Sequence, residues 1–423
     1  MSTLSRKYMY IIASLLIIIL ILGGALAYYV LTPVSTPKKP IVIRFWHAYN
    51  PVETEKVAKL VEEFMKENPD IKVEMEAIPY GALHDKLITA MAAGTAPDVV
   101  RMDIIWVPEF ASIGALLELD EFIERDNIDL NNFFPGPLET CKWNGHYYGL
   151  PLDTNTRVLF YRKDLFAEAG IDHPPRTWQE LLEFAKKLTK DKDGDGKIDQ
   201  YGLAIGGAWP WHFFPFLWQN GGDFLDEDMK KCIINNTEGV EALQFLVDLI
   251  HKYKVAEYGT DVWRGFALGR YAMMIMGPWG KPLVASVDKE VAEENTGVAL
   301  LFKGKYAASI VGGEDIVIFR QSKHPEAAWK FVKFLISERF QLEMFEVGQI
   351  PVLRSLVPKL STDPYYKVFM EQLETARART PHPKFAQMKE IIHREVEATL
   401  LGLKTPKEAL DAIAAEVNKI LGS

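Results

Sequence analysis

Cysteine is nearly absent. Cys141 and Cys232 are the only two in 423 residues, so the chain is no disulfide-stapled scaffold and has at most one bridge open to it. Two separate buried thiols are the alternative. Basic runs are missing as well. Lys+Arg 48 against Asp+Glu 57 gives a formal charge of −9, and clustering stops at pairs such as Lys186-Lys187. A polyanion partner needs a run or patch of cations, so nucleic acid is excluded. Also missing are GxSxG, HExxH and GxxxxGK[ST], the signatures of acyl transfer, zinc hydrolysis and phosphate cradling.

Long hydrophobic runs are absent too, with one exception. Residues 11 to 22 read IIASLLIIILIL behind Arg6 and Lys7, and the apolar stretch continues to Leu31. A positive flank, an apolar centre and Ala25-Leu26-Ala27 fit a cleavable export signal. The stretch from Tyr8 is also long enough to span a bilayer. In either case Arg6 and Lys7 stay inside, and everything after residue 31 lies outside the cytoplasm. Residues 1–31 are thus a signal or membrane anchor, and 32–40 (TPVSTPKKP) a stiff Pro-rich spacer. No Cys follows the apolar segment, which closes the lipid-anchor route. Asn235-Asn236-Thr237 is a glycosylation sequon.

What remains is ordinary for a folded protein: 48% hydrophobic and 25% charged residues, in a length sufficient for two domains. Ile41 to Phe45 reads as a strand, and Val57, Leu60, Val61, Phe64 and Met65 form one buried helical stripe. Asn68-Pro69 ends that helix, and Ile71, Val73, Met75 and Ala77 alternate as a second strand. The βαβ pattern recurs: a strand at 98–102, a capping box Thr177-x-x-Glu180 opening a helix to about Lys190, and a helix from Pro325. Residues beyond about Pro364 read as mainly helical. The expected class is α/β, with a mostly parallel sheet flanked by helices in each of two lobes.

In open α/β sheets ligands sit beyond the carboxyl ends of the strands. The residues placed there are Trp46, His47, Tyr49 and Asn50, then Asp103, Asp153 and Asn155. Further along come Trp209 and Trp211, Gly277-Pro278-Trp279, and Gly312-Gly313-Glu314. Aromatics, carboxylates, carboxamides and glycines dominate, and cations are scarce. That mixture suits a neutral sugar, whose C–H face packs on an indole while its hydroxyls need charge-assisted partners.

At these residues the chain resembles the extracytoplasmic sugar-binding proteins of ABC importers, in the maltose, trehalose and maltodextrin group. The resemblance rests on FWHAYN (45–50), Ala96-Pro97-Asp98-Val99 with Asp103, the 159–165 segment LFYRKDL, and PPRTWQE (174–180). FLWQNGG (216–222), Gly277-Pro278-Trp279 and Gly312-Gly313 complete it. It implies a type II periplasmic-binding-protein fold with lobe one at 41–152 plus 312–356 and lobe two at 153–311 plus 357–423. The sugar would occupy the cleft between them and be passed unchanged to the membrane permease by a monomer that needs no cofactor and is not an enzyme. Two alternatives are an exported carbohydrate-active enzyme with a two-carboxylate site and a sugar-sensing ectodomain, which would need a separate output partner.

Trp279 is the expected stacking platform, matching the family's ring-stacking tryptophan, with a core plug as the alternative. Asp103 is read as a hydroxyl acceptor or a helix cap, and Glu53 as a hydroxyl acceptor or a complement to the helix dipole. Asn155 and Glu314 match positions where relatives carry sugar-contacting groups, although the residue types differ. Arg379 resembles the family's cleft arginine, with a surface ion pair as the other reading. Of Trp46 and His47, which leave the first strand on opposite faces, His47 is placed toward the ligand. Trp209 and Trp211 are the cleft candidates from the aromatic run WPWHFFPFLW. Finally, Asp191, Asp193, Asp195 and Asp199 stand at positions 1, 3, 5 and 9 of a calcium-type loop, with the Lys197 carbonyl at 7 and Gly196 at the turn. Position 12 is Gly202 rather than a bidentate Glu. The loop is a candidate structural Ca²⁺ site.

Overall fold

The computed structural model describes residues 3–31, 39–259 and 261–422. The spacer expected over 32–40 falls largely outside them. The apolar run forms one helix, Thr3–Leu31, whose segment Lys7–Gly24 has a mean hydropathy of 2.1 and no buried residue. That helix is long and apolar enough to cross a membrane, a test that export signals also pass.

The expected βαβ opening is present. Strand β1 (Ile41–His47) leads into a helix, Pro51–Glu67, which buries Val57, Leu60, Val61 and Phe64 and returns as β2 (Ile71–Ala77), parallel to β1. Asn50 starts the helix through a full capping box. Its Oδ1 accepts the Glu53 N–H at 3.0 Å, and Glu53 Oε2 accepts the Asn50 N–H at 2.9 Å. At the second predicted box only half forms: Thr177 caps Glu180, but Glu180 reaches back to the Arg176 N–H at 2.7 Å. That helix ends at Leu188.

The first sheet adds β3 (Val99–Asp103), β6 (Gly149–Thr156), β12 (Ser309–Ile318) and β13 (Ala376–Arg377), in the order β13-β12-β3-β1-β2 with β6 also on β12. A small hairpin, β4 (Lys142–Trp143) and β5 (His146–Tyr147), lies apart from it. The second sheet runs β11 (Thr296–Ala299), β7 (Val158–Arg162), β10 (Met273–Met276), β8 (Leu203–Ile205), β9 (Ala256–Tyr258). The α/β class holds, but both sheets are mixed rather than mostly parallel. Strand β12 runs antiparallel to β3 and β6, and β7 runs antiparallel to β10 and β11.

Strand β12 is also longer than its sequence pattern implied, because the polar residues Gly312 to Asp315 continue it beneath the cleft. Between the sheets the chain crosses at Thr156-Arg157 and again before Ser309. There the Thr156 hydroxyl donates to Ile310 O at 2.8 Å and the Ser309 hydroxyl donates to Arg157 O at 2.8 Å. Phe45, Phe64, Trp329 and Phe331 fill the core under the first sheet, and Phe160, Phe213, Phe214 and Phe266 belong to the core that includes the second. Cys141 and Cys232 are both buried and unbridged. The sequon residue Asn235 donates its side-chain amide to Asp411 at 2.8 Å.

Candidate functional site

The residues past the strand ends converge on a cleft between the two sheets, divided into two compartments. The larger, of about 410 Å³, takes Glu53, Arg101 and Glu314 from one side, Asn155 from the crossing, and Trp279 and Tyr366 from the other. The smaller, of about 140 Å³, lies between Tyr80 and Ile105 on one side and Trp209, Trp211, Arg379 and Lys389 on the other.

Trp279 is 41% exposed, so it is no core plug. Its ring folds over the preceding backbone: a Cβ at Gly277 would lie 2.4 Å from it, which explains a glycine there. Gly312 has the same role at the junction of the compartments. A Cβ on it would meet Asn155 Oδ1 at 2.3 Å and the Trp211 ring at 2.7 Å.

The floor of the larger compartment is ionic. Arg101, 5% exposed, forks onto Asp153 at 2.8 and 3.1 Å, reaches Glu314 at 2.6 Å, and lies 4.1 Å over the Tyr49 ring. Burial opposes the guanidinium charge, but Asp153 and Glu314 outweigh it and hold the proton on. Burial pushes the Glu314 carboxyl well up, against the pull of Arg101. Glu53 completes the helix cap, lines the cavity, and accepts from Gln349 at 2.6 Å.

Asp103 is buried and caps the following turn by accepting the Ile105 N–H at 2.9 Å. It also accepts the Tyr80 hydroxyl at 2.7 Å and stands 3.6 Å from Arg379. Arg379 is therefore not a surface pair; it lies 5.6 Å from the Trp211 ring, with its Nε sealed and unpartnered. Trp209 stacks on His393 at 3.8 Å.

His47 corrects the reading of the first strand. It is fully buried, between the rings of Phe45 and Tyr49, and lines neither compartment. The strand's alternation turned it into the core, and Trp46 faces the other way, under Lys86. Burial, then Arg101, pulls the His47 pKa down to about 4. Its Nδ1 accepts the Tyr49 N–H at 3.3 Å, which fixes the neutral tautomer.

Sequence reasoning missed Arg101, Tyr80, Tyr366 and Gln349. A charge inside the apolar run VVRMD was a usable signal for Arg101; nothing local marked the other three.

In the acidic loop, carboxylate oxygens of Asp191, Asp193 and Asp195 come within 4.8 Å of one another. Asp199 instead accepts the Lys192 N–H at 2.7 Å. Position 12 has no room for Glu, since a Cβ on Gly202 would sit 2.4 Å from the Ala185 backbone.

Residues 50–342 match the family model described as bacterial extracellular solute-binding protein. The chain belongs to that family. The maltotriose-binding protein of Pyrococcus abyssi is 30% identical over 86% of this chain and 78% of its own length. Among solved structures, the sugar-binding protein MalE of Xanthomonas citri superposes with a TM-score of 0.82 at 30% identity, covering 90% of this chain and 97% of that one. Maltose-bound MalE3 of T. maritima gives 0.75 at 34%, covering 90% and 100%. This solute-binding protein thus shares the architecture of maltose-group binders of ABC importers, and its cleft occupies the interlobe position. Those relatives are binding proteins, and the family is extracellular.

Proposed function

We propose that this solute-binding protein captures a neutral oligosaccharide in the interlobe cleft and delivers it, chemically unchanged, to the permease of an ABC importer. The carrying observation is a half-exposed indole, Trp279, opposite a floor of hydroxyl-pairing groups: Glu53, Asn155 and Glu314. Trp209, Trp211 and Arg379, with Asp103 behind them, supply a second aromatic and ionic slot. The moving bodies are the one that carries the first sheet and the one that carries the second, turning about the bonded crossing at Thr156, Arg157 and Ser309. An open form collects sugar, and the ligand shifts the equilibrium by its greater affinity for the closed form. The N-terminal helix tethers a monomer to the outer face of the membrane.

The loop oxygens of Asp191, Asp193 and Asp195, with the Lys197 carbonyl, suit a hard cation, and we read them as a structural Ca²⁺ site. The ion would staple the loop and take no part in sugar binding.

Titration calorimetry against a panel of neutral oligosaccharides, with the recovered sugar examined by chromatography, tests the reading. A binding heat with intact sugar is expected. Hydrolysed sugar would instead favour an exported carbohydrate-active enzyme, and no heat from any member of the panel would overturn the proposal.

A further inference from the structure

Strand β12 carries two adjacent acids in different surroundings. Glu314 lines the cleft and meets the Arg101 guanidinium at 2.6 Å. Asp315, the next residue, is 1% exposed, and no Lys or Arg among the described residues pairs with it. The two arginines of the cleft are engaged elsewhere, Arg101 with Asp153 and Glu314, and Arg379 with Asp103. A buried carboxylate without a cation is costly.

The contacts of Asp315 lie on the helix Pro135–Thr140. The Thr140 hydroxyl stands 2.9 and 3.2 Å from the two Asp315 carboxyl oxygens, and it also stands 2.6 Å from Pro137 O. Contacts to both acceptors need two hydrogens, and a hydroxyl has one. Given to Pro137 O, the closer acceptor, it leaves Thr140 Oγ1 facing Asp315 with lone pairs only. The second hydrogen must come from the carboxyl. The Cys141 thiol touches both side chains, but its hydrogen does not serve the contact between those two oxygens. Burial pushes the Asp315 carboxyl well up, and the negative charges of Asp103 on β3 and Asp153 on β6 push the same way. Cys141, Asp103 and Asp153 are the titratable groups that act on it, and none is a cation.

We propose that folded Asp315 is a neutral carboxylic acid, and that its proton, donated to Thr140 Oγ1, clamps the helix Pro135–Thr140 to β12. That helix packs tightly where β12 meets β13: a Cβ on Gly136 would lie 2.8 Å from the Val311 side chain and 3.1 Å from Ala376 O. The clamp lies one residue from Glu314, so it braces the strand that carries the cleft floor. Losing the proton removes the donor and leaves a buried charge, so the clamp loosens as pH rises. Binding of sugar is not needed for this inference, so the two stand or fall separately.

Denaturant titrations of the protein and of Asp315→Asn between about pH 5 and pH 6 test it. An unfolded aspartate ionises near ~3.9, so in this range the folded protein holds a proton that the unfolded chain has lost. The contribution of Asp315 to stability is therefore full below about pH 4 and falls as pH rises. The carboxamide keeps an N–H for Thr140 Oγ1 and has no proton to lose. The expected result is that the folding constant of the unmodified protein, divided by that of the variant, drops about tenfold per pH unit. Parallel pH dependences overturn the proposal. Should the variant not fold, carbon-13 NMR of the unmodified protein, labelled at its aspartate side-chain carboxyls, decides alone. An aspartate resonance at the protonated position at pH 6 is expected, and its absence overturns the proposal.

Discussion

Trp279 carries its side chain into the cleft with 41% of its surface free, so removing the ring subtracts stacking without opening a core. Trp279→Ala is expected to weaken oligosaccharide binding by about 1 kcal/mol or more and leave the melting temperature nearly unchanged, as read by calorimetry beside a thermal melt. His47 makes the opposite case, a residue whose effect is on the fold. Its folded pKa is about 4 against the 6.5 of an ordinary imidazole, so between those values the unfolded chain binds a proton that the folded one refuses. Stability is therefore full above pH 6.5 and falls as pH drops through that window, by about 2 kcal/mol at pH 4.5. Denaturant titrations at pH 7 and 4.5 should show that loss, reduced in His47→Gln. Strand alternation had left the choice between Trp46 and His47 open, because both are aromatic and both follow an apolar run; only the partner sheet decides which face is core.

At the scale of elements, periodicity was a good guide wherever one face is buried. The helix Pro51–Glu67 and its flanking strands follow directly from apolar spacing and a capping box. It was a poor guide for β12, whose central Gly-Gly-Glu-Asp segment resembles a loop yet pairs with β6 throughout and, from Glu314 on, with β3 as well. Register with β3 and β6 is a non-local fact, which local composition does not encode. The acidic loop shows the same split: its oxygen spacing was legible, while the reason for Gly202 at position 12 is the contact with Ala185. If that loop holds Ca²⁺, adding chelator should lower the melting temperature while sugar still binds. A melting curve indifferent to chelator would remove the ion from the account.

Across the whole molecule, the family was legible because short motifs recur in order along nearly its full length, and the cleft followed from where the strands end. Its division into an ionic, Trp279-walled compartment and a narrower one under Trp209 and Trp211 was not legible. That division arises where Asn155 and Trp211 meet above Gly312, residues brought together only by the crossing strands. Function follows if the two bodies close on the ligand. Solution X-ray scattering on the protein with and without a saturating oligosaccharide, identified by its binding heat, measures that closure directly. The account predicts a smaller radius of gyration and a shorter maximum dimension when sugar is bound. A scattering profile unchanged by a sugar that demonstrably binds would contradict it.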